Sequence, residues 1–274
     1  MEFIDSHGHL YKEYYEDFDE VVSRAVNAGV TKVILPCVTS QSLKDIFDAA
    51  DKYPQHLFPL VGLHPTDIPE DYERELAVLE GWLDDPRVVG IGEIGMDLYH
   101  TTETREVQKV VFARQLEWAC ERHLPVSMHI RSAYPDALEI LKWFSGSGLK
   151  GILHCFSGGI QEAQWAVKEG YLLGVGGVVT FKNNKLQDII KAVGLEHIAL
   201  ETDCPFLAPV PYRGTRNESA YVPIIAQKVA DIFECPVEHV AAVTTANVLK
   251  LRKLKIENGK GVPLPHGKTV ESIK

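Results

Sequence analysis

Eight short apolar segments alternate with longer amphipathic stretches along the chain, and this alternation restricts the possible folds more than any other feature. The apolar segments are rich in Val, Ile and Leu, and Gly, Pro, Ser or Asn marks their junctions. Such nearly continuous apolar runs are typical of parallel strands, whose connections are helical. The pattern predicts an α/β fold, namely a single-domain (β/α)8 TIM barrel. The predicted strands are FIDSHGHL, KVILPCV, LFPLVGLHP, VVGIGEIGMD, PVSMHI, KGILHCFS, YLLGVGG and HIALETDCP.

A doubly wound open sheet is the structural alternative, because it is built from the same alternation. No GxGxxG motif follows the first predicted strand, so the usual dinucleotide-binding signature is absent there. The cluster GVGG, from Gly174 to Gly177, is typical of tight turns or close backbone packing. We assign residues 1–254 to the barrel and residues 255–274, which are rich in Gly, Pro and Lys, to a C-terminal extension or tail.

Composition narrows the expected environment and partners of the protein. No stretch approaches the roughly 18 consecutive apolar residues of a membrane span, and the N-terminus lacks signal-peptide features, so we expect a cytoplasmic protein without a membrane partner. Five scattered cysteines without a CxxC motif predict reduced thiols. A net charge of −10 disfavours a long contact with duplex nucleic acid. Nothing in the sequence indicates an obligate protein partner.

Polar side chains able to bind metal recur near the ends of the predicted strands. His7 and His9 are separated by one residue, and alternate residues of a strand face the same side, so both can point to one place. All strands of a barrel deliver their C-terminal ends to one face, where active sites lie. Because buried polar groups are costly without partners, a shared pair of cations explains the set better than independent core histidines. The other members are His64, Glu93, His129, His154 and Asp203.

The side-chain types indicate which ions such a site would bind. Imidazole and carboxylate groups without thiolates suit Zn²⁺, Mn²⁺, or Mg²⁺ supplemented by waters. Glu93 has two carboxylate oxygens and can bridge two ions. We therefore predict two divalent metal ions as cofactors. The two predicted groups that share Glu93 are His7, His9 and Asp203 in one, and His129 and His154 in the other.

Several motifs in a fixed order make the pattern specific. Over nearly residues 1–254 the sequence resembles the TatD-type metal-dependent deoxyribonucleases, a family of amidohydrolase-like metal-dependent hydrolases. The resemblance rests on DSHGHL, GLHP, GEIGMD, HIR, HCFSG, ETDCPFLAPVPYRG, RNE and TTAN. It implies a (β/α)8 barrel and divalent-metal hydrolysis of DNA phosphodiesters. The metal ligands that it implies are His7, His9, Glu93, His129, His154 and Asp203.

The chain departs from the family pattern at three positions. Gly8 stands where Cys or Ala is usual, Ser132 where an acidic residue is common, and Ser219 where Pro is usual after RNE. None of these removes an implied metal ligand. They bear instead on substrate preference and on the geometry of the loops near Arg131 and Glu218.

The expected activity is hydrolysis of DNA by a water that two metal ions activate, as a 3′–5′ exonuclease on single strands or exposed 3′ ends. A recessed pocket at a barrel mouth admits a flexible terminus more easily than an internal duplex site, and the acidic charge disfavours a long duplex contact. Asp203 and Glu93 are the predicted catalytic residues, with Asp203 both a ligand and a candidate base.

Four further residues receive predicted roles. Arg131 and Arg213 are placed to hold phosphate oxygens through charge-assisted hydrogen bonds, the alternative being surface ion pairs. His64 is expected in the pocket, where it contacts phosphate or orients a metal-bound group. Glu201 is expected to hold a ligand histidine or a water, the alternative being a buried pair with Lys or Arg.

Other functions remain open from the residues alone. A metal-dependent amidohydrolase or deaminase uses a similar set, although many such enzymes bridge their metals through a modified lysine on strand four, where this chain has Glu93. A small-molecule phosphoesterase could use the same site with a narrower pocket. An inactive nucleic-acid-binding protein is the alternative outside the enzymes. Cys155 and Cys204 flank predicted ligands and are expected to face away from them and to pack as small apolar groups.

Overall fold

A computed structural model describes residues 1–182 and 184–257 of the chain. Its eight strands pair in parallel in the order β1 to β8, and helices connect them. The barrel closes where β8 meets β1, because the Ser6 amide donates to Leu200 O at 2.9 Å and the Asp203 amide donates to His7 O at 2.9 Å. The predicted (β/α)8 barrel is therefore confirmed. The strands are β1 Phe3–Asp5, β2 Val30–Leu35, β3 Leu57–Val61, β4 Gly90–Asp97, β5 Val126–Arg131, β6 Gly151–His154, β7 Leu172–Val175 and β8 Ile198–Leu200.

Helices surround the barrel within the described residues, and two of them follow the last strand. They are α1 Phe18–Asn27, α2 Leu43–Lys52, α3 Tyr72–Glu80, α4 Arg105–Arg122, α5 Tyr134–Trp143, α6 Ile160–Glu169, α7 Leu186–Val193, α8 Val222–Phe233 and α9 Val237–Glu257. None of the helices in this part of the chain is long and apolar enough to cross a bilayer.

Helix α9 covers the end of the barrel at which the strands begin. The side chains of Val248 and Leu251 pack with Ile4, Ile152 and Leu172 in one buried cluster. The Asn247 amide also donates to Leu195 O at 3.1 Å and to Ile198 O at 2.9 Å, next to the start of β8. The helix runs past residue 254, the predicted end of the barrel domain, and most of the predicted extension, residues 258–274, lies outside the described residues.

The helical layer contacts the barrel through a continuous apolar core. Trp118 of α4 is fully buried, and Trp143 and Trp165 pack against the same core. All five cysteines are free thiols, in agreement with the predicted absence of a disulfide framework. Apolar burial of this extent is the main source of stability in a barrel, since each fully buried large side chain contributes about 1.5–3 kcal/mol.

The observed strands are shorter than predicted at their C-terminal ends. The segment FIDSHGHL forms a strand only over Phe3–Asp5, and HIALETDCP only over Ile198–Leu200. Asp203 has a φ of 56°, which an extended strand does not contain. The chain therefore leaves the barrel before the predicted ligands, and the strand alternation expected for His7 and His9 does not apply to them. The loops after the strands, rather than the strands themselves, orient these side chains.

One glycine of β4 allows strands β4 and β5 to approach each other closely. Gly95 pairs with His129 of β5, has a φ of 139°, and a Cβ there would lie 2.0 Å from His129 O. We expect Gly95→Ala to lower the free energy of unfolding by at least about 3 kcal/mol, because strand separation and backbone strain would be combined. The measurement is urea unfolding followed by circular dichroism.

Gly146 provides the matched control for this substitution. Its φ is also positive, at 80°, but a Cβ there would meet nothing within 4 Å. Gly146→Ala should cost only the backbone preference, about 1–2 kcal/mol. Equal losses in the two variants would contradict the role assigned to close packing at Gly95.

Candidate metal centre

The six predicted ligands, which are distant in sequence, lie together at the C-terminal end of the barrel. The barrel geometry explains this, because parallel strands of a closed sheet present their C-terminal ends to one face. His7 and His9 follow β1, Glu93 lies in β4, His129 in β5, His154 ends β6, and Asp203 follows β8. The His9 amide donates to Cys204 O at 2.8 Å. This bond holds the segment after β1 next to the segment after β8.

Glu93 is the centre of the arrangement, and its two oxygens face different imidazoles. Oε2 lies 3.1 Å from His7 Nε2 and 3.7 Å from His9 Nε2. Oε1 lies 3.1 Å from His129 Nδ1 and 3.7 Å from His154 Nε2. The carboxylate therefore separates the histidines into two groups, one on each oxygen.

Asp203 faces the same imidazoles from the other side of the cluster. Its Oδ1 lies 3.9 Å from His7 Nε2, 3.7 Å from His9 Nε2 and 3.6 Å from His154 Nε2. The Asp203 side chain is 16% exposed, whereas that of Glu93 is 4% exposed. Asp203 is thus the carboxylate of the pair that reaches towards the mouth of the barrel.

The spacing of these atoms fits cations. Two ligand atoms that each lie about 2.1 Å from one ion at about 90–110° are separated by about 3.0–3.4 Å. The separations around Glu93 and Asp203, 3.1 to 3.9 Å, are near this range, and most exceed a normal hydrogen bond. Three groups have ligand atoms within 4.8 Å of one another: His7, His9 and Asp203; His7, Glu93 and His154; His64, Glu93 and His129.

The charges of the cluster are strongly coupled. Burial acts to raise the pKa of Glu93, but the surrounding imidazoles outweigh it and hold the pKa well below its ordinary value. The pKa of Asp203 is lowered for the same reason, with His154 as the strongest partner. Burial acts to lower the pKa of His154, yet Glu201, Asp203 and Glu93 raise it to about 10. Burial and the charge of His154 together lower the pKa of His7. Both carboxylates therefore stay anionic and require positive charge beside them.

All four imidazoles among the predicted ligands have a polar partner on the ring nitrogen that does not face the cluster. His7 Nδ1 lies 2.9 Å from Ser127 Oγ, and His9 Nδ1 lies 3.2 Å from Tyr11 Oη. Partners of this kind fix the ring orientation and the tautomer of a metal-ligating histidine. Sequence reasoning missed both partners, because neither lies in a pattern that marks it as polar and inward.

Asp97 is the most informative residue that sequence reasoning missed. Its Oδ2 lies 2.9 Å from His129 Nε2, and its Oδ1 accepts the amides of Tyr99 at 2.9 Å and His100 at 3.0 Å. Asp97 is fully buried, and its pKa is lowered because hydrogen bonds from His129 and His100 outweigh burial. In a neutral His129 ring, a proton donated from Nε2 to Asp97 would leave the Nδ1 lone pair directed at the Glu93 side, as a metal ligand requires. In the sequence, only its position as the last residue of the GEIGMD motif could have indicated this role for Asp97.

Glu201 lies beside His154, on the side of the ring that carries Nδ1. Its Oε1 is 3.1 Å from His154 Nδ1 and accepts the Cys155 amide at 2.6 Å. Among the described residues no Lys or Arg pairs with this fully buried carboxylate. A Cβ at Gly174 would lie 2.3 Å from Glu201 Oε2, so the GVGG cluster leaves room for the carboxylate. This is the close packing expected of that cluster.

Cys155 follows β6 with a φ of 44°, outside the strand geometry on which the expected alternation rests. Burial and the charges of Asp203, Glu201 and Glu93 raise its pKa well above the ordinary value. Cys204 is fully buried, and burial raises its pKa to about 12. Neither thiol is therefore ionised near neutral pH, which disfavours a thiolate nucleophile.

His64 lies inside the cluster rather than at its edge. Its Nε2 is 3.5 Å from Glu93 Oε1, and its ring centroid is 4.7 Å from that of His129. Its Nδ1 faces Thr66 Oγ1 at 2.7 Å and Asp67 Oδ2 at 3.2 Å. Burial acts to lower the pKa of His64, but Glu93 and Asp67 raise it to about 9. The ring can thus contribute either a proton donor or a ligand on the Oε1 side of Glu93.

Arg131 and Arg213 are exposed and lie outside the imidazole–carboxylate cluster. The guanidinium of Arg131 stacks on Tyr99 at 3.9 Å, and that of Arg213 stacks on Phe181 at 4.4 Å. Within the described part of the chain neither makes an ion pair, so the alternative expectation of surface ion pairs fails for both. Their donors remain available to an anion.

The RNE motif has a structural role that the sequence did not reveal. Arg216 binds Asp17 through two bonds of 2.7 and 2.9 Å, and Arg24 binds Glu218 through two bonds of 2.8 Å. The Asn217 side chain donates to the carbonyls of Thr202 and Phe206, in the loop after β8. The motif therefore fastens that loop to α1.

Two departures from the family pattern meet beneath the cluster. A Cβ at Gly8 would lie 3.0 Å from Asp5 Oδ2 and 3.1 Å from Cys204 Sγ, and Ser219 Oγ lies 3.7 Å from Cys204 Sγ. Asp5 is fully buried, and burial raises its pKa to about 7 although Thr202 donates to it. The third departure, Ser132, is exposed with a φ of 54°.

A barrel with an imidazole–carboxylate centre at its C-terminal end defines a class of protein, the metal-dependent hydrolases. The family model described as TatD related DNase matches residues 4–253 of this chain. The chain belongs to this family, so the resemblance drawn from its motifs is confirmed, and so is its prediction as a metal-dependent hydrolase.

Known relatives and solved structures agree with this assignment. The uncharacterized metal-dependent hydrolase YabD of Bacillus subtilis is 34% identical over 253 residues, which are 92% of this chain and 99% of YabD. The 3′-5′ ssDNA/RNA exonuclease TatD of Citrobacter rodentium is 33% identical over 248 residues, 87% of this chain and 93% of that protein. The crystal structure of the TatD homologue YJJV from Escherichia coli matches with a TM-score of 0.84 and 28% identity, and covers 91% of this chain and 97% of YJJV.

The contact between Asp97 and His129 leads to a testable prediction. In Asp97→Asn the amide oxygen can keep the two backbone contacts of Oδ1, which turns the amide NH₂ towards His129 Nε2. The imidazole must then carry its proton on Nδ1, where it would block metal binding. We expect the affinity for Mn²⁺ at the site that includes His129 to fall by about 10- to 100-fold in calorimetric titration.

The surface variant Asp48→Asn is the control, because Asp48 is exposed and pairs only with Lys44 among the described residues. It should bind Mn²⁺ as the wild type does. An unchanged affinity in Asp97→Asn would show that Asp97 does not set the tautomer of His129.

Proposed function

We propose that this protein hydrolyses phosphodiester bonds of DNA with two divalent cations, releasing nucleotides from exposed 3′ ends of single strands. The observation that carries the proposal is the division of Glu93: Oε2 faces His7 and His9, while Oε1 faces His129 and His154. A phosphodiester carries a negative charge that two adjacent cations can offset on both sides of the reacting phosphorus.

The residues fit a pair of cations that share Glu93. His7, His9 and Asp203 would hold one ion. His129 and His154, which both face Glu93 Oε1, would hold the other, with His64 nearby. When bound, the ions would lower the pKa of water and neutralise phosphate oxygens. Zn²⁺, Mn²⁺ and Mg²⁺ are all compatible with this mixture of nitrogen and oxygen donors.

Asp203 is the residue best placed to handle a proton. It is anionic, partly exposed, and within 4 Å of three imidazoles, so it can orient a water at the centre and accept its proton. Glu201 holds His154 from behind and keeps the ring directed at Asp203. The proton can then pass to solvent through the exposed side of Asp203.

Arg131 and Arg213 would hold the non-reacting phosphates. The chain has 38 acidic and 28 basic residues. Neither of these two arginines pairs with a carboxylate among the described residues. Each guanidinium lies over an aromatic ring, and its N–H donors can bind phosphate oxygens. His64, whose pKa is raised to about 9 by Glu93 and Asp67 against the effect of burial, is a further donor to phosphate.

Three features favour this substrate over the alternatives. The position on strand four is a glutamate that reaches both imidazole groups, in place of the modified lysine of many amidohydrolases and deaminases. The ligand set is complete, which an inactive binding protein would not need. The relative named 3′-5′ ssDNA/RNA exonuclease supports a nucleic acid over a small phosphoester.

Removing the shared carboxylate should abolish turnover. Glu93→Gln keeps the size of the side chain but loses the charge that both cations require, so kcat on a single-stranded oligonucleotide should fall by at least about 1,000-fold. Elemental analysis should find fewer than two ions per chain in the variant. Glu106→Gln, on the exposed face of α4, is the control and should match the wild type.

Chelation provides the second half of this experiment. Treatment with EDTA should abolish activity, and separate additions of Mg²⁺, Mn²⁺ and Zn²⁺ should identify the ion that restores it. Full activity of Glu93→Gln, or of the metal-free protein, would rule out the proposed centre.

The form of the DNA distinguishes the proposed substrate from related ones. We expect faster release of mononucleotides from the 3′ end of a single strand than from a blunt duplex, because the net charge of −10 repels a long duplex and a recessed centre admits a flexible terminus. The assay follows 5′-labelled oligonucleotides on denaturing gels. Equal or reversed rates, or cleavage of cyclic amides instead of DNA, would contradict the proposal.

A further inference from the structure

A large aromatic side chain stands in solvent beside the metal centre, and the activity derived above does not use it. Phe206 is 48% exposed although it lies only three positions after Asp203. Its ring centroid is 6.0 Å from that of His9 and 5.9 Å from that of Tyr14, both in edge-to-face contact. Exposed aromatic groups on a monomer are common, but one in ring contact with a predicted metal ligand is placed where the substrate must lie.

The backbone holds Phe206 in this position. Its amide donates to Asp203 O at 2.8 Å, and its carbonyl accepts from Asn217 Nδ2 at 2.6 Å. The same Asn217 side chain donates to Thr202 O at 2.7 Å, so the loop is clamped on both sides of Asp203. These hydrogen bonds therefore fix the loop in the conformation that exposes the Phe206 ring.

The neighbouring residue extends the apolar surface. Leu207 is 41% exposed and has a φ of 53°, a left-handed conformation that is costly for a leucine. A Cβ at Gly177 would lie 2.2 Å from Leu207 O. The backbone of this loop therefore packs closely against the 3-10 turn Gly177–Thr180, which follows β7. Local strain of this kind is found where the surrounding structure requires a particular loop shape. Here the result is two apolar side chains presented to solvent next to His9 and Asp203.

We propose that Phe206 is a nucleobase-binding residue, which stacks on the base of the nucleotide whose phosphate lies at the His7, His9 and Asp203 group. The inference rests on the proposed function and names how a nucleic acid is held there. Stacking on an aromatic ring is how proteins bind single strands without reading their sequence, because every base has a π face. An unpaired base can reach an exposed ring, whereas a base inside a duplex cannot.

The experiment compares two single-stranded oligonucleotides that differ only in the 3′-terminal nucleotide, which carries a base in one and is abasic in the other. With the based oligonucleotide, Phe206→Ala should raise KM by about 5- to 100-fold with kcat little changed, the size of one base–aromatic stack. With the abasic oligonucleotide the variant should equal the wild type. Circular dichroism and metal analysis verify that fold and metal content are unchanged.

Matched variants separate the ring from other properties of the loop. Phe206→Trp should keep the wild-type KM, whereas Phe206→Leu, which is apolar but not aromatic, should behave like Phe206→Ala. Leu207→Ala alters the adjacent exposed side chain and should have less than a threefold effect. Wild-type KM in Phe206→Leu, or an equal loss on both oligonucleotides, would overturn the stacking role.

A binding measurement keeps this result independent of the proposed nuclease activity. Fluorescence anisotropy in EDTA, where no turnover occurs, should show the based oligonucleotide binding more tightly than the abasic one to the wild type but not to Phe206→Ala. If the wild type cleaves neither DNA yet shows this difference, the nuclease proposal fails and the stacking site stands. If the anisotropy shows no difference, the stacking site is wrong whatever the activity.

Discussion

The charge of one buried carboxylate governs the arrangement of the centre. Glu93 is 3% exposed and stays anionic, so the free energy of burying it must be offset by positive charge within a few ångströms. Five imidazoles supply that charge when they are protonated, and cations would supply it when the imidazoles are neutral. All eight residues of β4 are buried, which is why this strand can carry a carboxylate to the middle of the cluster.

The barrel and the set of convergent residues follow from the sequence because both depend on regular repeats. Alternating apolar and amphipathic segments define the strands, and closure of a parallel sheet brings His7 and Glu93 together across 86 positions. The orientation of the side chains was less predictable. His7, His9 and Asp203 lie beyond their strands, so strand alternation does not apply to them. The positive φ of Cys155 and of Asp203 also takes the chain out of strand geometry at those residues.

The partners of the ligands were the least predictable part of the site. Asp97 meets His129 because β4 and β5 are adjacent, and Ser127 meets His7 across most of the barrel. Such pairs depend on distances between side chains of different strands, and no spacing along the chain encodes those distances. The arginines illustrate the same limit. Arg216 forms an ion pair with Asp17, whereas Arg131 and Arg213 have only aromatic partners among the described residues. The residue type is the same in all three cases, so the sequence alone does not distinguish them.

The loop after β8 joins the two halves of the proposed activity. It carries Asp203, which faces the cations, and Phe206, which faces solvent, and the Asn217 side chain binds the carbonyls on either side. The Asn217 backbone is in turn held by Tyr15, whose hydroxyl donates to Asn217 O at 2.8 Å. A shift of this loop would displace ligand and ring together. Metal geometry and substrate contact are therefore mechanically coupled, which explains why a polar asparagine is buried where an apolar residue would pack as well but could not hold both carbonyls.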